Sequence, residues 1–167
     1  MDDNRAVKMY DYHVWANQKV FQHVRQLPGG IYKEQINSVF SSISDVMVHL
    51  YATDVTWLET MKGSSYEETV TVVNRRKQEA SEVSIDELEG LYQLLSEEYY
   101  RFFAEQQDGE QIIITEHPRF GRIEFVLADL IHHVVNHGTY HRGNISAMLH
   151  QQGERGIPTD YVYYLFK

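Results

Sequence analysis

Apolar residues recur at a helical period through most of this chain, and the places where the period lapses mark its joints. Val7, Tyr10, Val14, Ala16 and Phe21 predict a first helix from about Asn4 to Leu27, with Asp2 or Asp3 as its cap and Pro28-Gly29-Gly30 as its stop. Val46, Leu50, Val55, Trp57, Leu58 and Met61 predict a second, opening near Ser41 to Ser44 and ending at Met61 or Lys62 before Gly63. Residues 63–83 are polar and rich in β-branched side chains. They show no helical stripe and are expected to be a long, partly extended crossover. Ser84-Ile-Asp-Glu87 has the form of a capping box. It opens a third helix carrying Leu88, Leu91, Leu95, Tyr99, Phe102 and Phe103, expected to run to about Gln107 and to close at Asp108-Gly109. Ile112 to Ile114 and Phe120 to Ile123 predict the two strands of a small hairpin around His117-Pro118. A fourth helix follows, from about Glu124 to Gln152, and the apolar tail 156–167 is expected to pack on the body. The fold class expected is all-α: a four-helix bundle with a long crossover between helices 2 and 3 and a small β-hairpin before helix 4, in a single domain, 1–167.

Composition narrows the class of protein. The 167 residues are 43% hydrophobic and 23% charged, as in a soluble domain with room for a core. No apolar run is long enough to span a membrane, and the polar start Met-Asp-Asp-Asn-Arg lacks a secretory apolar segment, so a cytoplasmic protein is expected. A net charge of −9 disfavours general binding to phosphate backbones. With no cysteine, the chain has neither a disulfide, nor a thiolate metal site, nor a thiol nucleophile of its own.

Chemistry concentrates in the last predicted helix, where His133, His137 and His141 recur every four residues. That step stacks neighbours on one face, with Cβ atoms roughly 5–6 Å apart, so two imidazoles can share one metal ion. A rise of about 1.5 Å per residue puts His133 and His141 roughly 12 Å apart. One ion can therefore use His137 with His141, or His133 with His137, and further ligands must come from elsewhere. His49, inside the second helix, is a candidate if it faces the fourth. Three neutral imidazoles on one ion leave positions open for water or substrate, as in catalytic rather than closed structural sites. His13, His23, His117, His132 and His150 have no such spacing and read as ordinary polar residues. The chain has no His-Glu-x-x-His, no Glu-x-x-His, no phosphate-binding glycine loop and no Gly-x-Ser-x-Gly, which sets aside metalloproteases, di-iron carboxylate proteins, nucleotide-binding folds and serine hydrolases. Asp45 and Asp54 lie near His49 in sequence, but neither can be given a role as general base from spacing, and the catalytic residues are left unknown.

His137-Gly-Thr-Tyr-His-Arg-Gly-Asn144 resembles the His-x-x-x-His-Arg-Gly-Gln signature of the DinB family, with Asn144 where Gln is usual. Trp15-Ala-Asn17 resembles that family's first-helix element. His49 followed by Trp57, and Pro158-Thr-Asp-Tyr161, are similar to its second-helix and C-terminal motifs, so the resemblance runs along the whole chain. It implies a four-helix bundle, often a homodimer, with one divalent ion (nickel, zinc or iron) held by His49, His137 and His141. Related proteins include bacillithiol S-transferases and a mycothiol-dependent isomerase. The resemblance therefore implies a metal-dependent enzyme, a thiol S-transferase acting on a low-molecular-weight thiol and an electrophilic small molecule, or as a variant a hydrolase using a metal-activated water. The alternative it leaves is a non-catalytic protein induced by DNA damage or stress, in which the metal is structural. Direct action on DNA is the least favoured reading, given the charge.

Overall fold

The computed structural model describes residues 4–106 and 108–166. The described residues form six helices and one two-stranded antiparallel sheet: α1 (Asn4–Gln26), α2 (Ile43–Met61), α3 (Tyr66–Glu82), α4 (Ile85–Glu105), β1 (Ile112–His117), β2 (Gly121–Val126), α5 (Leu127–Gln151) and α6 (Tyr161–Tyr164). The expected cap at Asp2 or Asp3 and the expected third-helix end at Gln107 lie outside the described residues. No helix among those described is long and apolar enough to cross a membrane.

The four long helices are α1, α2, α4 and α5. Helix α5 lies against α1 and α2, and α4 lies against the same two. Between them sits a core that includes Phe21, Leu50, Leu58, Leu88, Leu95, Tyr99, Ile131 and Ile145, each no more than 2 % exposed. Each such side chain contributes about 1.5–3 kcal/mol by leaving water. Ser42 caps α2 by accepting the Asp45 N–H, and Ser84 caps α4 through a reciprocal box with Glu87. A smaller cluster of Tyr12, Ala16, Val135 and Tyr164 fastens the C-terminal tail to α1.

The stretch 63–83 corrects the sequence reading. It is not an extended crossover but a helix of 17 residues, α3, lying along α2. Its entry is a capping box too, Ser65 with Glu68. A stripe does exist, with Thr69 and Ala80 buried and Val72 and Val73 packed on the core. The run Thr69-Val-Thr-Val-Val73 has strand-like propensity, and packing against α2 overrides it.

The hairpin forms where expected but is longer. Ile112 pairs with Val126 and His117 with Gly121. Glu124 is therefore a strand residue opposite Ile114, and α5 begins at Leu127 rather than at Glu124. Gly121 opens β2 with φ of 71°, a conformation that favours glycine. Strand β1 touches α2 and α3, so hairpin and third helix together wall off one side of α2.

Candidate metal centre

Helix α2 presents His49 toward α5, and α5 presents His137 and His141 one turn apart. His141 Nε2 lies 3.1 Å from His137 Nε2 and 3.2 Å from His49 Nε2. One ligand nitrogen from each of the three residues falls within 4.8 Å of the other two. Around a tetrahedral ion with bonds of about 2.0–2.1 Å, ligand nitrogens sit roughly 3.3 Å apart, so the spacing suits one divalent cation.

The donor set is also in the right protonation state. Burial first, then the facing His141 and His49, pull His137 down to about 4. Burial lowers His49, with the positive charge of Lys77 on α3 adding to it. His141 is lowered by burial and by His49. All three rings are neutral at pH 7, with lone pairs available. A neutral pair with Nε2 atoms this close shares at most one proton, and three converging lone pairs ask for a cation.

Neighbouring side chains fix the rings. The Asn144 amide is 3.2 Å from His141 Nδ1. The atom facing the ring is Asn144 Nδ2, which donates to Nδ1; turning the amide over, which leaves its shape unchanged, would let Oδ1 accept an Nδ1 proton and leave Nε2 free for a metal. The shorter side chain at 144 thus still reaches the ring. Phe40 packs on His49 and His141 with ring centroids 5.2 and 5.4 Å away, and Tyr140 lies edge-on to His141 at 5.0 Å. His49 and His137 are half-buried, and His141 is buried.

The other histidines separate from this cluster. His133 is exposed, lying 4.6 Å from the Trp57 ring and 6.0 Å from the His137 ring. His132 is exposed, as helical geometry predicts. His23 bonds the Arg155 carbonyl at 2.9 Å, and His117 Nδ1 accepts the Arg119 N–H at 3.1 Å.

His13 is the residue that spacing undervalued. It is 1 % exposed, and its Nε2 is 2.9 Å from both Asp54 Oδ2 and Asn17 Nδ2. Arg142, also buried, donates to Asn17 Oδ1 at 2.9 Å and to Thr139 Oγ1 at 3.0 Å, and lies over the Tyr12 ring. The Tyr12 hydroxyl donates to the Thr159 carbonyl. A buried network therefore joins α1, α2 and α5 directly behind the histidine cluster. Gly138 makes room for it. A Cβ there would fall 2.4 Å from the His13 ring and 2.8 Å from Arg142 Nη1. Asp54 spends its carboxylate on His13, while Asp45 is exposed at the start of α2. The one signal available in sequence was His13 with Asn17 at the i, i+4 step; Asp54 and Arg142 come from too far away.

Comparison with known proteins follows the same lines. The model of the DinB family matches residues 1–167. "Protein DinB" of Bacillus subtilis (strain 168) is 41% identical over 161 residues, which is 96% of this chain and 94% of that protein.

Proposed function

The chain belongs to the DinB family, and from that premise we propose that it is a divalent-metal protein whose ligands are His49, His137 and His141, acting as a low-molecular-weight-thiol S-transferase. The observation that carries the proposal is the convergence of the His49, His137 and His141 Nε2 atoms, with that of His141 3.1 and 3.2 Å from the other two, where His49 and His137 are half-buried and His141 is buried. A divalent cation bound there supplies a Lewis acid with open positions, able to lower the pKa of an external thiol. The chain's own residues do the rest. With its amide turned over, Asn144 would accept the His141 Nδ1 proton and favour the tautomer that offers Nε2. Phe40 and Tyr140 shield the cluster on one side. The network of His13, Asn17, Asp54 and Arg142 keeps α1, α2 and α5 in register behind it. The long helices α1, α2, α4 and α5 are read as the bundle that carries these groups. With a chloro-substituted electrophile, the thiolate sulfur forms a C–S bond, chloride leaves with the bonding pair, and the thiol proton passes to solvent. The reading includes a cytoplasmic homodimer without a nucleic-acid partner, and the net charge of −9 supports the last point.

A second reading is favoured by the ligands' origin on two helices: the ion would then serve to cross-link α2 and α5. One set of measurements separates the two. Untagged protein is assayed for bound metal by elemental analysis, then for transfer of bacillithiol to monochlorobimane before and after chelation. The transferase predicts about one ion per chain and loss of transfer on chelation. Transfer at the uncatalysed rate throughout, with a large chelator-induced fall in Tm, supports the cross-link instead.

A further inference from the structure

Between α2, α3 and the hairpin lies a cavity of about 470 Å³, within the range of small-molecule sites. Its walls are Trp57 from α2, Tyr66, Val70 and Val73 from α3, and Phe120 and Phe125 from the hairpin, with threonines between them. Val70 lies one helical turn beyond Tyr66. Tyr66 is 42 % and Phe120 65 % exposed, much for aromatic side chains. His117 stacks on Phe120 at 4.8 Å and meets Tyr66 edge-on at 5.0 Å.

The cavity is separated from the histidine cluster by one side chain, His133. Trp57 touches His133, and His133 stacks toward His137. On α3, Asn74 lines the cavity, and Lys77, three residues on, exerts its charge on His49. Cavity and cluster therefore share the same flank of α2.

We propose that this cavity binds the electrophilic partner of the thiol and that the partner is a neutral aromatic molecule. This deepens the transferase reading and rests on it for the word electrophile; the binding itself does not. Flat aromatic ligands fit walls of Trp, Tyr, Phe and His, which offer offset-stacked and edge-on contacts. Neutrality follows from the lining, which contains no Asp, Glu, Lys or Arg; the guanidinium of Arg119 lies over the Phe120 ring outside that lining, 5.3 Å from its centroid. One polar handle is available. Because His117 Nδ1 accepts the Arg119 N–H, the neutral ring carries its proton on Nε2 and can donate to a carbonyl or nitro oxygen.

The test uses full-length Trp15→Phe protein, so that Trp57 is the sole tryptophan, titrated with the neutral dye N-phenyl-1-naphthylamine. Saturable binding with quenching of Trp57 emission is expected, at least tenfold weaker in Val70→Glu and in Phe120→Ala. The second variant alters a largely exposed side chain and guards against a folding defect. The sulfonated analogue 1-anilinonaphthalene-8-sulfonate is expected to bind less tightly. Absence of saturable binding, unchanged affinity in both variants, or equal affinity for the sulfonate overturns the proposal. So does displacement of the dye as protein concentration rises, which would make the cavity a contact between copies. Dye binding needs neither metal nor thiol. Protein that binds the dye at Trp57 but transfers no thiol keeps this inference and loses the transferase. Protein that transfers thiol with unchanged KM in both variants does the reverse.

Discussion

The two flanks of the histidine cluster are built on opposite principles. Behind it, His13, Asn17, Asp54 and Arg142 form a buried polar network packed so closely that position 138 tolerates no side chain. Beside it, Trp57, Tyr66, Phe120 and their neighbours enclose open, apolar space. The first flank joins α1, α2 and α5 of the helical frame. The second is made of α3 and the hairpin, applied to the outside of α2. The difference assigns rigidity to one side and access to the other. A metal centre with open positions needs both, since its ligands must be held while its substrate must arrive.

Substitutions can break this contrast in graded steps. The largest effect is expected at the cluster itself. His137→Ala or His141→Ala should abolish stoichiometric metal while circular dichroism retains most of the helix signal; full occupancy in each single variant would remove these residues as ligands. Next comes the closed flank. Asp54→Ala leaves Nε2 of buried His13 without its carboxylate partner, and a buried polar group left unsatisfied costs about 1–3 kcal/mol. Gly138→Ala forces a clash with His13 and Arg142, at about 1–3 kcal/mol for overpacking. Both are read by chemical denaturation, and a change under about 0.5 kcal/mol in either would show that the flank is not rigid. Asn144→Ala should weaken metal binding by about 10–100-fold, the usual cost of losing a group that orients a ligating histidine, with little change in folding.

The smallest effect concerns pH in metal-free protein. The folded state holds His137 near 4, against an ordinary value of 6.5. Between those values the unfolded chain takes up a proton that the folded chain refuses. Stability from this source is full above 6.5 and is lost as pH falls through about 4. Tm should decline across that window, and His137→Gln should flatten part of the slope. An identical slope in the variant would assign the decline to other groups.

The sequence spoke unevenly about these parts. Spacing alone brought out His133, His137 and His141 on one helix face and left two pairs open; the family motif chose His137 with His141. His49 came from the family motif, since no periodicity tells which way a distant helix faces. The Ser84 box marked the start of α4 correctly. Ser65-Tyr-Glu-Glu68 has the same form but went unread ahead of a β-branched run, and α3, which supplies one wall of the cavity, was expected as an extended crossover. The polar network was invisible for a different reason. Positions 13, 17, 54 and 142 carry no common period, and burial of their side chains is decided by three helices meeting. The need for glycine at 138 likewise depends on a histidine 125 positions earlier in the chain.

Helix α2 supplies His49, Asp54 and Trp57 within nine residues, one to each of the three regions. Apart from Thr56 and Thr60 of α2 itself, the remaining cavity walls arrive on two separate segments, 66–82 and 112–126. On the proposed reading, specificity can therefore drift, or be redesigned, by exchanging those segments while His49, His137 and His141 stay untouched. A library confined to them would sample new ligands without renegotiating the scaffold.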